Sequence, residues 1–109
     1  DRAAWGRLLE GLVARGRWEE AVKGGESAIY VDLANPEVHR LYARALAKTG
    51  RHVTAIYEYN SAVVAGGPPP MLEGVYRELA KGYDKLGQPK LAEQARAFEK
   101  TAAARVSKR

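Results

Sequence analysis

Three glycines at near-regular spacing constrain the fold of this 109-residue chain more than any other feature. Gly50 follows Gly16 by 34 residues, Gly87 follows Gly50 by 37, and each lies between two helix-like stretches. Glycine is expected at such turns because the left-handed conformation that ends a helix strains residues with a β-carbon. A period near 34 residues is typical of stacked helical hairpins that bury each other's apolar faces. The sequence therefore predicts three helix–turn–helix units, called repeats 1, 2 and 3, at about 2–35, 36–69 and 70–109.

The residues around these glycines share one alignment, called the repeat register below. Large side chains recur at positions 11, eight and four before each glycine, and alanine recurs five after it. The columns are Trp5, His39 and Tyr76; Leu8, Tyr42 and Leu79; Leu12, Leu46 and Tyr83; Ala21, Ala55 and Ala92. Because helical stripes of this kind precede and follow every turn, we expect an all-α fold of six helices.

The pattern resembles the tetratricopeptide repeat (TPR) family, whose motif places aromatic residues, leucine, alanine and a turn glycine at set positions. The matching residues are Trp5, Leu8, Leu12, Gly16, Trp18, Ala21 and Ala28 in repeat 1; Tyr42, Ala43, Leu46, Gly50, Ala55, Tyr59 and Ala62 in repeat 2; Tyr76, Leu79, Ala80, Tyr83, Gly87 and Ala92 in repeat 3. Leu9, Gly25, His52 and Pro89 depart from the motif. The resemblance implies a right-handed α-solenoid that acts as a protein–protein interaction scaffold.

Glycine and proline mark three further local features. Gly24 and Gly25 stand in the middle of the second helix, where we expect the close approach of a neighbouring helix. Asn35 is predicted to cap the third helix, with Pro36 at its first position. Residues 66–70 (Gly-Gly-Pro-Pro-Pro) are predicted to form an extended joint that excludes helix, and the next helix to begin at Met71.

The last helix carries an apolar stripe at spacings of three and four residues. Its members are Leu91, Ala95, Phe98, Ala102 and Val106. We expect this stripe to cover the final apolar face of the stack, since repeat arrays need a capping element. The alternative is that it binds a second copy of the chain or a neighbouring domain of the same polypeptide.

No residue pattern indicates catalysis or a cofactor. The chain has no cysteine, and its two histidines, His39 and His52, occupy positions that the repeats use for packing. A zinc site would need more ligands at fixed spacing, and the serines lie outside any nucleophile motif. We therefore expect a segment that is not an enzyme and holds no metal or cofactor.

Sequence leaves the cellular location open. No run of about 18 apolar residues is present, so no membrane span is predicted. A soluble, cytoplasmic location is favoured over others. Because Asp1 begins directly in helix-like sequence, the chain is interpreted as a piece of a larger protein, one TPR-like domain covering 1–109.

Positive charge accumulates along the chain. The formal net charge of +5 is divided as −1 in residues 1–36, +2 in residues 37–70 and +4 in residues 71–109. An excess of one sign favours partners of the other, so an acidic partner is expected.

Two rows of basic residues recur every four positions on the first helices of repeats 2 and 3. They are Arg40, Arg44 and Lys48, and Arg77, Lys81 and Lys85. Spacing of four places each row on one helix face. The resemblance implies that first helices line a concave groove, so these six residues are the predicted peptide-binding site. The alternative is that they only solvate exposed faces.

One subfamily of TPR proteins grips the acidic tails of heat-shock chaperones with lysine, arginine and asparagine. The corresponding positions here are Gly6, Glu10, Leu41, Gly74 and Glu78, so that particular partner is not predicted. The favoured function is binding of an acidic peptide in the groove. The alternatives are a homo-oligomer or docking onto a catalytic domain through the C-terminal helix. Nucleic-acid binding is the least supported, because no base-reading motif is present.

Overall fold

The computed structural model describes residues 2–108 and contains helices and no strand over that range. The helices are α1 (Arg2–Ala14), α2 (Trp18–Val31), α3 (Pro36–Lys48), α4 (His52–Val64), α5 (Pro69–Lys85) and α6 (Pro89–Ser107). They pair as α1/α2, α3/α4 and α5/α6, which matches the three hairpins expected from the glycine spacing. The all-α prediction is confirmed.

The three hairpin turns have the same backbone geometry. Gly16, Gly50 and Gly87 have φ angles of 69°, 81° and 69°. In each turn the glycine N–H donates to the carbonyl three residues back, and the following N–H donates to the carbonyl five residues back. These are the two hydrogen bonds of a Schellman motif, which satisfies carbonyls that the helix end leaves unpaired. The conformation explains why the repeat register is built around glycine.

A fourth Schellman turn, at Gly66, joins repeats 2 and 3. Gly66 has φ 86°, and Gly67 N donates to the Ala62 carbonyl at 3.3 Å. Pro68 is in the extended conformation expected for the joint (φ −69°, ψ 158°). The prediction that all three prolines exclude helix is wrong for Pro69 and Pro70, which form the first turn of α5. Proline is tolerated there because first-turn N–H groups have no partner within the helix.

The joint between repeats 1 and 2 is capped by a side chain. Asn35 Oδ1 accepts the Glu37 N–H at 3.0 Å, and Pro36 stands at the first helical position, as predicted. Asn35 Nδ2 also donates to Asp32 at 2.8 Å. The second helix ends at Val31, before this capped joint.

The core runs through all three hairpins. Its most deeply buried large side chains are Leu9, Val38, Leu46 and Val75. Each helix packs against the next in the chain, and α3 packs against α1 as well. Tyr42 and Leu79 are buried, as the repeat register predicts, whereas Leu8 at the same position of repeat 1 is 47% exposed and the neighbouring Leu9 is buried instead.

Gly25 allows α2 to lie directly against α3. A β-carbon at Gly25 would stand 2.3 Å from Tyr42 Cδ1, which no packed structure tolerates, whereas one at Gly24 would make an ordinary 3.5 Å contact with Leu12. The expected close approach is therefore real at Gly25, and it is set by an aromatic ring of the following repeat.

The terminal helix buries only part of the predicted stripe. Ala92, Ala95 and Ala102 are buried against the rest of the stack. Leu91 and Phe98 remain 40% and 54% exposed, so the expected Leu91–Val106 stripe does not cover the core as a whole. Alanines suit this seam because α6 lies closely along α5, and small side chains permit short distances between helices. Phe98 stacks instead on Tyr76, with ring centroids 5.3 Å apart.

His39 belongs to a buried polar pair in repeat 2. Its Nδ1 lies 2.7 Å from Glu58 Oε1, and its Nε2 donates to the Leu33 carbonyl at 2.6 Å. His39 and Glu58 are each 5% exposed. The pair thus joins α3, α4 and the connection before α3, and the packing role expected for His39 is performed by hydrogen bonds.

Candidate protein-binding groove

Two adjacent cavities lie between α3 and α5, with α4 beneath them. The first, the lysine pocket, has a volume of about 390 Å³; the second, the methionine pocket, about 440 Å³. The lysine pocket is lined by Arg44, Ala47, Lys48, His52, Ala55, Ile56, Tyr59, Glu78, Lys81, Gly82 and Lys85. The methionine pocket is lined by Glu37, Arg40, Arg44, Tyr59, Pro70, Met71, Gly74, Val75, Arg77 and Glu78. Together they form what is called the groove below.

All six predicted site residues border the groove. Lys48, Lys81 and Lys85 line the lysine pocket, and Arg40 and Arg77 the methionine pocket. Arg44 lines both. The α3 row and the α5 row therefore face each other across α4.

Repeat 1 contributes nothing to the lining of the two cavities. Among the α1 positions that the resemblance places in a groove, Val13 is buried in the core, and Ala3, Gly6 and Glu10 line neither cavity. The groove is thus a feature of repeats 2 and 3.

The two arginines of the methionine pocket are already paired within the protein. Arg40 Nε donates to Glu37 at 2.9 Å. Arg77 donates to Glu99 at 2.9 Å and to Glu73 at 3.1 Å. These hydrogen bonds raise the pKa of both arginines, chiefly through Glu37 for Arg40 and Glu99 for Arg77. Their charge is largely compensated before any ligand arrives.

The cations of the lysine pocket are far less compensated. Arg44 and Lys48 lie over the Trp18 ring, 5.8 and 5.7 Å from its centroid, a contact that leaves their N–H donors free. Lys81 is 3.5 Å from Glu78, the one carboxylate that lines this pocket. Within residues 2–108, Lys85 has no carboxylate within ion-pair distance. Four cations face one carboxylate, a formal excess of +3 with His52 neutral.

Tyr59 forms the floor where the two pockets meet. Its side chain is only 3% exposed, and burial strongly raises the pKa of its phenol, so the hydroxyl stays protonated. Arg40, Arg44 and Glu78 lie close enough to influence that pKa. Within the described chain the hydroxyl has no hydrogen-bond partner, and it is not sealed from solvent. It therefore offers a donor to a molecule in the groove.

Sequence reasoning missed three contributors to this site. The motif includes Trp18 and Tyr59, and His52 occupies a packing position, but none of the three is predicted as a site residue. The signal for Tyr59 is the repeat register, which aligns it with Gly25. Repeat 2 thus has a large side chain where repeat 1 has none, which indicates that the space beside α4 differs from that beside α2. No comparable signal marks His52, because its exposure to the groove depends on where α5 lies.

No three His, Cys, Asp or Glu side chains within residues 2–108 come together as metal ligands. Over the same range, no helix is both long and apolar enough to cross a membrane.

The fold is shared with solved helical-repeat structures, although no protein-family profile and no curated protein sequence matches the chain. The type III secretion translocator chaperone SycD of Yersinia enterocolitica, in an alternative dimer, superposes with a TM-score of 0.82 at 15% identity, over 94% of this chain and 76% of SycD. MamA (AMB-1) superposes with a TM-score of 0.84 at 19% identity, over 95% of this chain and 60% of MamA. These likenesses establish a TPR-like helical-repeat fold, and the expected solenoid is confirmed.

Proposed function

We propose that this chain is a non-catalytic protein-interaction module that holds an acidic peptide segment in the groove between α3 and α5. The observation that carries the proposal is the excess positive charge of the lysine pocket. Uncompensated cations in a concave site attract carboxylates from a distance and bind them by charge-assisted hydrogen bonds. SycD is a translocator chaperone, and chaperones bind other proteins, which agrees with this proposal.

The test uses fluorescence anisotropy of a short fluorescein-labelled peptide rich in glutamate. Wild-type protein should bind it, and a matched peptide with lysine for glutamate should not bind. The Arg44→Glu/Lys81→Glu variant should weaken binding by more than about tenfold, because two attractive contacts become repulsive. Affinity should also fall with added salt, since these side chains are exposed.

A charge-matched variant separates the groove from net charge. Lys23→Glu/Arg105→Glu reverses one lysine and one arginine at exposed positions that line neither cavity. It should bind the acidic peptide almost as well as wild type. Equal weakening by the two double variants would show that the peptide responds to overall charge rather than to the groove.

Self-association or docking through the C-terminal helix is a second candidate. Leu91 and Phe98 on α6 and Leu86 just before it are 40%, 54% and 39% exposed, so an apolar surface is left open at this end. Sedimentation velocity over a wide range of concentrations tests it. A Leu91→Gln/Phe98→Gln variant should remain monomeric under conditions in which wild type dimerises; monomeric wild type throughout would reject the homo-oligomer.

A further inference from the structure

Hydrogen-bond donors dominate the side chains of the lysine pocket. Its polar lining consists of three lysines, Arg44, the His52 ring, the Tyr59 hydroxyl and one carboxylate, that of Glu78. Lysine and arginine side chains donate and never accept, whereas a peptide backbone carries about as many donors as acceptors. A peptide backbone inside this cavity would therefore leave its N–H groups short of side-chain acceptors. A ligand whose polar surface consists of acceptors alone suits the lining better.

Glu78 compensates little of the charge in this pocket. It lies 3.5 Å from Lys81, the longest ion pair among those described for residues 2–108, and both side chains are more than a third exposed. Exposed pairs of this kind are weak. In the methionine pocket, by contrast, three arginines face two glutamates, and Arg40 and Arg77 are paired with carboxylates. The uncompensated charge is thus concentrated in the lysine pocket.

The repeat register explains why the two lysines of α5 stay uncompensated. The aligned residues are Arg44 and Lys81, Lys48 and Lys85, and Trp18 and His52. The two cations of α3 lie over the indole ring of Trp18. Rings that attract cations in this way are those of tryptophan, tyrosine and phenylalanine. Because the equivalent ring beside α5 is the imidazole of His52, Lys81 and Lys85 lack this contact within residues 2–108.

Gly82 holds the α5 lysines close to the floor of the pocket. A β-carbon at Gly82 would stand 3.1 Å from Ile56 Cγ1, so the missing side chain lets α5 lie close to α4 at this point. Lys81 directly precedes Gly82, and Lys85 follows it by three residues, or about one helical turn. Both cations therefore start from a stretch of α5 that lies beside the floor, where the Tyr59 hydroxyl adds an uncharged donor.

We propose that the lysine pocket binds a diphosphate group, carried either by the free diphosphate ion or by a nucleotide. A phosphoryl group brings roughly −1.5 to −2 charges at neutral pH, so two joined groups place about three negative charges in one compact anion. That charge equals the formal excess of the pocket, and lysine binds phosphate well as a point charge. Carboxylates on one side of an extended peptide are about 6.6 Å apart and cannot concentrate charge in the same way.

This inference goes beyond the proposed function, because the ligand is a small anion and not a peptide. The two share the charge excess of the lysine pocket. They differ in the oxygen geometry that the pocket selects, and the experiment measures that difference.

Isothermal titration calorimetry with pyrophosphate, at constant ionic strength in a buffer free of phosphate, tests the site. Wild type should bind one pyrophosphate per chain. Citrate, whose three carboxylates are ionised at neutral pH, should bind at least tenfold more weakly. ADP presents the same diphosphate group on a nucleoside. Tighter binding of pyrophosphate than of ADP would assign the site to the free ion, and the reverse order would assign it to a nucleotide.

Two protein variants locate the bound anion. Lys81→Gln/Lys85→Gln should weaken pyrophosphate binding at least tenfold, because it removes two of the four cations and keeps side chains that suit a helix. Lys23→Gln/Arg105→Gln removes the same charge from exposed positions that line neither cavity, and it should bind as wild type does.

Tyr59→Phe removes a donor without changing the charge. It should weaken pyrophosphate binding about fivefold, the scale of one hydrogen bond. An unchanged affinity would show that the anion does not reach the floor of the pocket, and the site as described would be overturned.

The remaining outcomes separate this inference from the proposed function. If the glutamate-rich peptide binds and pyrophosphate does not, or if citrate binds as tightly as pyrophosphate, the acid-binding groove stands and the diphosphate site is overturned. If pyrophosphate binds and the peptide does not, the proposed function fails and the diphosphate site stands. Equal weakening by the two double variants would show that pyrophosphate responds to overall charge, which also overturns the site.

Discussion

The two junctions between successive repeats are built from the same register but pack differently. At the first junction Gly25 of α2 receives Tyr42 of α3, and α3 also packs against α1. At the second junction the corresponding positions carry Tyr59 on α4 and Leu79 on α5. The aromatic ring of the first junction therefore belongs to the first helix of the later repeat (α3), whereas that of the second junction belongs to the second helix of the earlier repeat (α4). Both cavities described here lie at this second junction.

This contrast teaches that a shared motif fixes the position of each helix in the sequence, but the side chains at one contact decide whether a junction is closed or open. At the first junction the two positions hold Gly25 and Tyr42. At the second junction they hold Tyr59 and Leu79, and Tyr59 lies on the floor of the groove. Similar total volume is thus distributed in two ways, and the arrangement at the second junction borders both cavities.

The largest effect on stability is expected when the residues of the second junction, a tyrosine and a leucine, are introduced at positions 25 and 42 of the first. Gly25→Tyr should destabilise the protein by more than about 3 kcal/mol, because even a β-carbon there overlaps the Tyr42 ring. Gly25→Tyr/Tyr42→Leu should recover at least half of that loss. Urea unfolding followed by circular dichroism measures both. Gly24→Ala, one residue away and without a clash, should be neutral or stabilising. If the double variant is no more stable than Gly25→Tyr, the residue pair of the second junction cannot replace the pair of the first.

A second prediction concerns the polar pair of the central repeat. The register aligns His39 with Trp5 and Tyr76, and Glu58 with Gly24 and Ala95. Glu58→Ala should destabilise by about 3 kcal/mol, because it leaves a buried histidine without one of its two partners. His39→Tyr/Glu58→Ala, which copies the residues of repeat 3, should restore most of that stability. If the single variant unfolds at the wild-type urea concentration, the pair contributes no stability.

A third prediction sharpens the comparison through the two tyrosines. Burial raises the pKa of Tyr42 at the first junction and that of Tyr59 at the second. A raised folded pKa means that stability is complete below the unfolded value of about 10 and is lost as the pH rises above it. Between about pH 10 and pH 11, ionisation of Tyr59 in the unfolded chain should lower the free energy of unfolding of the wild type by about 1 kcal/mol. Tyr59→Phe has no ionisable group at this position and should not show that loss. Identical alkaline profiles would show that Tyr59 ionises as freely in the folded protein as in the unfolded one.

The smallest effect is expected at the surface of the first junction. Arg51 donates to Glu19 across the two repeats at 3.2 and 3.3 Å, and both side chains are exposed. Solvent and salt weaken such pairs, so Arg51→Ala should leave the urea midpoint unchanged within error. A clear shift would mean that this pair, and not the Gly25–Tyr42 contact alone, holds the first junction closed.

The sequence predicted the fold because the three turn glycines specify it locally. Their positive φ angles, the apolar stripes beside them and the Asn35 cap are all visible within a few residues. Two local predictions failed for identifiable reasons. Pro69 and Pro70 were treated as helix breakers although a first turn accommodates them. On α6, Ala95 and Ala102 of the predicted stripe are buried together with Ala92, whereas its larger members Leu91 and Phe98 stay exposed, because small side chains let α6 lie close to α5.

The site was predicted less completely than the fold. Spacing of four residues identified both basic rows, because that periodicity is intrinsic to one helix. Which of these basic side chains are paired with a carboxylate could not be predicted in the same way. Arg77 is compensated by Glu99, which is 22 residues away on another helix, and Lys85 by no carboxylate in the described chain. Such differences depend on where helices meet, which the repeat pattern does not specify.

The Arg77–Glu99 contact links the groove to the end of the chain. Arg77 lines the methionine pocket, and its strongest partner, Glu99, belongs to α6, which also contacts α5 through alanines, the Tyr76–Phe98 ring pair and the Arg96–Asp84 ion pair. Any fluctuation that detaches α6 removes that carboxylate and leaves the groove one charge more positive. Undocking of the terminal helix and capture of a negatively charged ligand are therefore coupled equilibria, each of which favours the other.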